Sequence, residues 1–330
     1  MRNKQIKFLY CLVSTLEDLY YEQAFISITS LRMHNPNAFV SLLTDKDTII
    51  SIEDKKANIR KIVDEIIIED FSDSLNRFNR SRYLKTIMRN KISGDFLYID
   101  SDTIISQNLD DIQNFEFDLG AVLDFHKLLS SHFLKSQIIE RRKLLLDNPD
   151  FYNHPYYFNG GLLFVRDTDF NRLFFNKWHE NYLIGNKNNL FMDQPSLALT
   201  DYQLGFPIKE LNGKWNVQIW HGVNFFNDAK IVHYFSTILD YRKYEPFNSS
   251  LPIYLRNNGY LSKDDLSIIA RPLTFFGNES YIITNENYRI FYTSISGFVR
   301  NLYRYKLLFR ITEIFFNCIR SIFIKLGIKN

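Results

Sequence analysis

Residues 94–111, GDFLYIDSDTIISQNLDD, decide the fold that this sequence predicts. Residues 96–99 are a short apolar run of strand-forming side chains, which is typical of a strand buried on both faces. The run stops at Asp100-Ser101-Asp102, after which a strand-like pattern resumes. Ligands of open α/β sheets bind outside the carboxyl ends of the strands. The stretch therefore predicts a central strand of an α/β sheet with two carboxylates at its ligand-binding end.

The two carboxylates, Asp100 and Asp102, favour a cation as their partner because the motif itself contains no Lys or Arg. Carboxylate oxygens select hard ions such as Mg²⁺ or Mn²⁺, which take their remaining ligands from water and from substrate phosphates. The simpler alternative is a turn in which Asp bonds to nearby backbone groups. The strand before the motif favours a metal and diphosphate site.

Strand-like and helical patterns alternate along the rest of the chain, and this alternation predicts βαβ units with a mostly parallel sheet. The predicted strands are 7–14, 39–43, 65–68, 119–124, 156–165 and 230–235. The predicted helices are 20–33, 52–62, 76–90, 135–146, 169–182 and one that Asp193 opens as its N-cap. The helix 76–90 carries several basic residues, of which we expect Arg82 to turn inward toward a phosphate or sugar. A solvated basic face is the alternative.

Composition places the chain among globular proteins of a reducing compartment. Apolar residues make up 45% and charged residues 23% of the 330 positions, which is ordinary for a folded domain. Two cysteines, Cys11 and Cys318, are too few for a disulfide framework. The apolar run 8–13 is too short for a signal-peptide core, and no stretch reaches the length of a membrane span. These features predict a cytoplasmic protein.

The basic charge of the chain is concentrated in its tail. Residues 299–330 contain seven Lys or Arg and one acid, Glu313, so the remainder is net acidic, which disfavours nucleic-acid binding. As a helix over about 299–328, this segment would place Leu308, Phe315 and Ile319 on one face and cations on the other. Such a helix suits the interface of an anionic membrane, here the inner face of the plasma membrane. A core-packed helix with a solvated basic face is the alternative.

Six short pieces in a fixed order carry a resemblance to a known family. They are the strand end Ser14-Thr15, Asp100-Ser101-Asp102, residues 157–161 (YFNGG), Asp193-Gln194, Trp215-Asn216 and residues 231–234 (IVHY). In this order they resemble the retaining glycosyltransferases of family eight, which have the GT-A fold and include bacterial lipooligosaccharide galactosyltransferases. The resemblance implies a Rossmann-like, mostly parallel sheet flanked by helices. It implies a catalytic domain over 1–240 and a smaller helical appendage over 241–330 for acceptor and membrane.

The resemblance also implies a role for each matching residue. Asp100, Asp102 and His233 would bind Mn²⁺, with Mg²⁺ as a possible substitute, and Asp193 and Gln194 would lie under the anomeric carbon as catalytic residues. Asp124 would be an acid on the acceptor side. The nucleotide and donor sugar would contact Val13, Ser14, Thr15, Arg82, Asp100, Ser101, Asn159 and Gly160.

The activity implied is Mn²⁺-dependent transfer of a hexosyl unit, galactose or glucose, from a UDP-sugar. The acceptor would be a glycan or lipid-linked saccharide of bacterial lipopolysaccharide or capsule. Retention could use a protein nucleophile, for which Asp193 is available, or same-face attack, which the poor nucleophilicity of Gln194 favours. One departure matters: the family places Gly and then Lys-Pro-Trp after the metal-binding histidine. Here Tyr234 follows, and Arg242 or Lys243 could only substitute for that Lys.

Two other classes of function remain open at this stage. A non-catalytic protein that binds sugar nucleotides or glycans would explain the missing Lys, but it would not need Asp100, Asp102, Gln194 and His233 together. A nucleotidyltransferase that makes sugar nucleotides would need a Gly-rich phosphate loop near the first strand, and the sequence has none.

Overall fold

A computed structural model describes residues 6–71, 76–219, 221–234, 250–270, 298, 302 and 305–325. The strands are β1 (Lys7–Leu12), β2 (Phe39–Asp45), β3 (Glu65–Glu69), β4 (Phe96–Ile99), β5 (Thr103–Ile105), β6 (Leu119–Leu123), β7 (Phe158–Val165), β8 (Lys209–Glu210), β9 (Val217–Gln218) and β10 (Ile231–His233). The α-helices are α1 (Tyr20–His34), α2 (Lys46–Ser51), α3 (Arg77–Lys91), α4 (Lys135–Leu145), α5 (Pro149–Tyr152), α6 (Asp169–Lys187), α7 (Asp193–Gln203), α8 (Ser250–Asn258), α9 (Lys263–Ile269) and α10 (Lys306–Lys325).

The main sheet has seven strands in the order β3-β2-β1-β4-β7-β6-β8, and a smaller sheet has the order β5-β10-β9. In the main sheet β7 is antiparallel to β4 and β6, and the other neighbouring pairs are parallel. This mixed, mostly parallel sheet confirms the predicted fold class. The chain runs outward from β1 through β2 and β3 and then returns to β4 on the other side of β1. Ligands of such sheets bind where the strand order reverses, here at the carboxyl ends of β1 and β4.

Apolar residues cover both faces of the main sheet, because successive side chains of a strand point to opposite faces. Phe8, Tyr10 and Leu12 of β1 pack in one core with α1, where Ala24, Ile28 and Leu31 are fully buried. The alternate β1 residues, from Leu9 to Val13, pack in a second core with side chains of α3 and α6. The helices packed on the two faces thus hold the sheet, and with it the start of the loops that follow β1 and β4, in place.

Several predictions of helix type and helix boundaries were wrong. The helix predicted over 52–62 is a 3₁₀ helix over Asp54–Lys61, preceded by α2, which was not predicted. Asp193 is the first residue of α7 rather than its N-cap, so its side chain is directed elsewhere.

The chain divides into two compact units, Met1–Asn278 and Glu279–Asn330. This division differs from the boundary predicted at residue 240, because α8 and α9 belong to the first unit and α8 packs against α1. In the second unit, a helix is present from Lys306 to Lys325, within the predicted range. Among the described residues, no helix is long and apolar enough to cross a membrane.

Asp201, on α7, gives the first unit a pH-dependent stability. Its carboxylate accepts a hydrogen bond from Ile208 N at 3.0 Å, but burial dominates and raises its pKa to about 6. The unfolded chain holds this proton only up to a pKa of about 3.9. The contribution of Asp201 to stability is therefore full below that value and is lost as the pH rises through about 6.

Replacement of Asp201 by Asn should raise the free energy of unfolding at neutral pH by up to about 3 kcal/mol, since the amide carries no charge to bury. Urea denaturation at about pH 4 and about pH 7 measures the effect, which should vanish at the lower pH. Asp150→Asn, at an exposed position of α5, is the matched control. Equal stability of Asp201→Asn and wild type at neutral pH would contradict this account.

Candidate active site

The Asp100-Ser101-Asp102 motif stands where the chain leaves the main sheet for the smaller one. Asp100 N donates to Gly161 O of β7 at 2.8 Å, which continues the pairing of β4 with β7 by one residue. Asp102 O accepts from Tyr234 N at 3.0 Å, which continues the pairing of β5 with β10. Ser101 lies between them and is half-buried. Each carboxylate is thus held by a different sheet, and both face the gap between the sheets.

His233, at the end of β10, completes a group of three potential metal ligands with Asp100 and Asp102. One ligand atom from each lies within 4.8 Å of the others. His233 Nε2 is 3.2 Å from Asp102 Oδ1 and 3.9 Å from Asp100 Oδ2. Burial opposes the charged imidazole, but the two carboxylates outweigh it and raise the pKa of His233 above its usual value. Two carboxylates and an imidazole in this small space are a ligand set that suits Mn²⁺ or Mg²⁺.

Gly161 leaves the space that this group occupies. A Cβ atom on Gly161 would lie 2.4 Å from His233 Cε1 and 2.8 Å from Asp100 Oδ2. The neighbouring Gly160 would place a Cβ 3.1 Å from Asp193 Oδ2. The two glycines therefore bring the β7 backbone against the ligand group on one face and against α7 on the other. This close approach and the ligand chemistry fit a bound divalent cation.

Lys85 and Arg82 of α3 bring positive charge to the same place. Lys85 is 9% exposed, and its Nζ lies 2.7 Å from Asp100 Oδ1 and 3.9 Å from Asp193 Oδ2. Arg82 Nε lies 3.4 Å from Asp193 Oδ1, so this arginine is directed toward the site, while its contact with a phosphate or sugar stays a prediction. Burial would lower the pKa of Lys85, but Asp100 and Asp193 raise it above the usual value, so the amine stays charged. Burial alone would raise the pKa of Asp100. The positive charges of Lys85 and His233 outweigh burial, so the pKa of Asp100 is lower than usual.

Sequence reasoning missed Lys85, which it left on a solvated face. The spacing gives part of the signal: Arg82, Lys85 and Arg89 are three and four residues apart and therefore lie on one face of the helix, but the spacing does not show what that face contacts. Arg89 on that face is fully buried and donates to Gly94 O at 2.8 Å. The inward-facing surface of α3 thus includes basic residues beside the apolar Leu84 and Met88.

A second cluster of polar side chains surrounds Asp124, at the carboxyl end of β6. Its carboxylate accepts from Asn159 Nδ2 at 2.9 Å and from His132 Nε2 at 3.1 Å, and Gln194 also hydrogen-bonds to it. Burial would raise the pKa of Asp124, but these partners together lower it, so the group is a carboxylate. The structure therefore brings Asp124, Asn159 and Gln194 together, as part of one buried network.

The backbone after Asp124 adopts an unusual conformation. Phe125 and His126 have φ values of 52° and 53°, in the left-handed region that side chains other than glycine rarely adopt. Gln218 holds this turn: its Oε1 accepts from Phe125 N at 2.7 Å, and its Nε2 donates to Leu123 O at 2.8 Å. Strained residues held by surrounding bonds cluster at functional sites. Here the strained turn fixes the direction of the backbone after β6 and therefore the position of Asp124.

The predicted nucleotide-binding segment, Val13 to Thr15, follows β1 beside this site and is closely tied to its surroundings. Ser14 N donates to Thr48 Oγ1 at 2.8 Å. Asp18, which the sequence analysis did not single out, accepts from Ser14 Oγ at 2.7 Å and from Thr15 N at 2.8 Å. The sequence signal that could have identified Asp18 was its position as an acidic residue between the end of β1 and the start of α1.

Arg256 of α8 braces this segment from the region that was predicted to serve acceptor and membrane. It pairs with the buried Glu22 at 2.8 Å and donates to Asp18 O. The Arg242 and Lys243 positions, suggested as substitutes for the family lysine, lie outside the described residues. The described part of the candidate site thus carries its cations on α3.

Comparisons with known proteins agree with this geometry. The profile of glycosyl transferase family 8 matches residues 11–238. The galactosyltransferase LgtC, solved with donor and acceptor sugar analogues, is similar in structure with a TM-score of 0.50 and 14% identity, over 78% of this chain and 98% of LgtC. Mouse xyloside xylosyltransferase 1 matches with a TM-score of 0.47 and 11% identity, over 70% of this chain and 97% of that one. No curated protein matches the chain significantly.

The GT-A fold and the match to a glycosyltransferase profile define a glycosyltransferase as the class of protein. The chain belongs to glycosyl transferase family 8, whose profile covers both sheets and the three ligand residues.

Proposed function

We propose that this protein is a retaining glycosyltransferase that transfers a hexosyl unit, galactose or glucose, from a UDP-sugar, with Mn²⁺ or Mg²⁺ as cofactor. The observation that carries the proposal is the group Asp100, Asp102 and His233 after β4 and at the end of β10, with Asp193 joined to Asp100 through Lys85. A protein that only bound a glycan would not need a ligand group for a divalent metal next to a carboxylate and an amide.

Different groups of the protein would stabilise different parts of the bound donor. Asp100, Asp102 and His233 would hold the metal, which when bound supplies positive charge opposite the diphosphate that departs. Lys85 and Arg82 together offset the charges of Asp100 and Asp193, which lowers the repulsion between the site and the anionic donor. Ser14, Thr15 and Asp18 form a rigid segment beside β1 that would receive the nucleotide. Such fixed groups cost little reorganisation during the reaction.

The surroundings of Asp193 favour same-face attack over a covalent intermediate. Asp193 lies between Arg82 and Lys85, and a carboxylate that is shared by two cations is a weak nucleophile. Gln194 is a poor nucleophile because its side chain is an amide, and this amide is hydrogen-bonded to Asp124. We infer that these side chains hold the sugar from below while the leaving phosphate assists the acceptor hydroxyl, so that the configuration is retained.

The acceptor we propose is a glycan or lipid-linked saccharide of bacterial lipopolysaccharide or capsule, reached at the inner face of the plasma membrane. The support lies in α10, whose described side chains expose a broad apolar face: Leu307, Leu308, Ile311, Ile314 and Phe315 are all at least half exposed. The sequence of this helix carries Lys306, Arg310, Arg320 and Lys325 against Glu313. An exposed apolar face with net positive charge is complementary to an anionic bilayer.

Phe315→Glu in the full chain should weaken binding to vesicles of anionic phosphatidylglycerol at least about tenfold, because it places a charge in the apolar face. Asn317→Glu adds the same charge on the polar face and should weaken binding less. Cosedimentation with anionic and neutral vesicles measures both. Equal binding of wild type and Phe315→Glu, or wild-type binding that does not distinguish the two lipids, would contradict membrane attachment; a self-associating helix would give that result.

The transfer reaction itself is tested by release of UDP from a panel of UDP-sugars, with Mn²⁺ and with EDTA. We expect one UDP-hexose to be hydrolysed or transferred in a metal-dependent way, since slow hydrolysis accompanies many sugar transfers when no acceptor is present. Addition of a lipid-linked saccharide should accelerate release. If no donor turns over with any acceptor while UDP still binds, the protein is a binding protein on the same fold.

A further inference from the structure

A chain of hydrogen bonds joins the candidate metal ligand His233 to the buried Asp124. Each link is 3.1 Å or shorter: His233 Nδ1 to Asn216 Oδ1, Asn216 Nδ2 to Asn159 Oδ1, and Asn159 Nδ2 to Asp124 Oδ1. Asn216 is fully buried and precedes β9, so its amide cannot exchange these partners for water. These hydrogen bonds thus connect the end of β10 with β7 and with the residue that follows β6.

The direction of this chain follows from one backbone group. Gly161 N can only donate, and it lies 2.9 Å from Asn159 Oδ1, so that atom must be the amide oxygen. The atom of Asn216 that contacts the same oxygen must then be its NH₂ group. The remaining atom of Asn216 is therefore an oxygen, and it can bond to His233 Nδ1 only if that nitrogen carries a proton.

The geometry points to Asn216 as the positioning residue that keeps the proton of His233 on Nδ1. We infer that it thereby presents the lone pair of Nε2 to a divalent metal. This inference rests on the metal site of the proposed function. His233 Nε2 faces Asp102 at 3.2 Å, on the side of the ring where a metal would be shared with the carboxylates. A histidine ligand is generally fixed in this way by a partner on its other nitrogen, and loss of such a partner costs about 10- to 100-fold in metal affinity.

The other end of the chain is fixed by the same reasoning. Leu134 N donates to His132 Nδ1 at 3.0 Å, so that nitrogen carries no proton and His132 Nε2 donates to Asp124. Asp124 therefore receives donors from both directions, and no link of the chain can reverse without breaking a bond to a backbone N–H. The amide of Asn216 is held from outside the metal site, which is what a positioning residue requires.

Two substitutions separate positioning of His233 from a merely structural role. Asn216→Leu removes the acceptor for His233 Nδ1 and should weaken Mn²⁺ binding about 10- to 100-fold, measured by the electron paramagnetic resonance signal of free Mn²⁺ in the presence of UDP. Asn216→Asp keeps that acceptor and should stay much closer to wild type, although it loses the bond to Asn159. Asn181→Leu, which removes a buried amide bonded to Thr200 and Gln203, controls for general loss of stability.

Nuclear magnetic resonance of the wild type gives a readout that does not depend on any variant. With Cd²⁺ bound as a diamagnetic substitute, long-range ¹H–¹⁵N correlations of the seven histidines should show one metal-bound ring with its proton on Nδ1. A proton on Nε2 of the metal-bound ring would overturn the inference. Equal losses for Asn216→Leu and Asn216→Asp, or no loss for either, would also overturn it. If the wild type binds no metal at all, the proposed metal site itself fails, and the inference fails with it.

Discussion

Replacement of Gly161 by Ala is expected to lower affinity for Mn²⁺ at least about 100-fold and to abolish sugar transfer, although this residue has no side chain to contribute. The added Cβ would lie 2.4 Å from His233 Cε1 and 2.8 Å from Asp100 Oδ2. Both distances are far below contact, and β7 cannot retreat because it pairs with β4 and β6 on its two sides. The imidazole and the carboxylate must therefore move apart, and both belong to the group that we propose as ligands of one metal.

Gly160→Ala is the matched control for this prediction. Its Cβ would meet Asp193 Oδ2 at 3.1 Å, at the end of a side chain that can rotate, and would not approach the ligand group. We expect Gly160→Ala to keep its metal affinity within a few-fold of wild type. Calorimetric titration of both variants with Mn²⁺ and UDP measures the difference. Retained metal binding by Gly161→Ala would show that the site lies elsewhere.

Replacement of Lys85 by Met is expected to lower the rate of transfer about 100-fold, within the range seen when one fixed charge is removed from an active site. Lys85 Nζ is 2.7 Å from Asp100 Oδ1 and 3.9 Å from Asp193 Oδ2. Without this positive charge, the negative charges of Asp100 and Asp193 would repel each other more strongly. The remaining carboxylates are partly buried, so the protein should also lose about 1–3 kcal/mol of stability. Steady-state kinetics with the UDP-sugar donor and urea denaturation measure the two effects.

Lys177→Met is the corresponding control, because Lys177 pairs with Glu180 at 3.1 Å on an exposed face of α6. Exposed pairs of this kind contribute about 0–1 kcal/mol, so this variant should resemble wild type in rate and in stability. Lys85→Arg keeps the charge and should recover part of the rate lost in Lys85→Met. A full rate in Lys85→Met would exclude Lys85 from the charge balance of the site.

The sequence was sufficient to predict the central strand and the two carboxylates at its end for a physical reason. A strand buried on both faces must be an apolar run, and carboxylates directly after such a run stand out. Asp100 and Asp102 were thus visible locally. His233 lies 131 positions beyond Asp102 and was found through the order of motifs, because no local pattern distinguishes a ligand from a core histidine.

The parts that sequence analysis missed depend on contacts between distant segments. Asn216 was part of a motif, but its contact with His233 was not predicted, because it depends on Asn159, 57 positions away, and a buried Asn in a turn has no periodicity that would reveal a partner. Lys85 shares its face with Arg82 and Arg89, but periodicity alone cannot tell whether a basic face meets water or carboxylates. The two-residue strands β8 and β9 are too short for an alternating pattern.

The central claim, that Asp100, Asp102 and His233 hold a metal that the nucleotide requires, is tested most directly by binding of UDP. Calorimetry of wild type and Asp102→Asn, each with Mn²⁺ and with EDTA, separates metal-dependent from metal-independent affinity. We predict that EDTA weakens UDP binding to the wild type strongly, and that Asp102→Asn binds UDP weakly in both conditions. Equal affinity of the wild type with Mn²⁺ and with EDTA would contradict the assignment of this site.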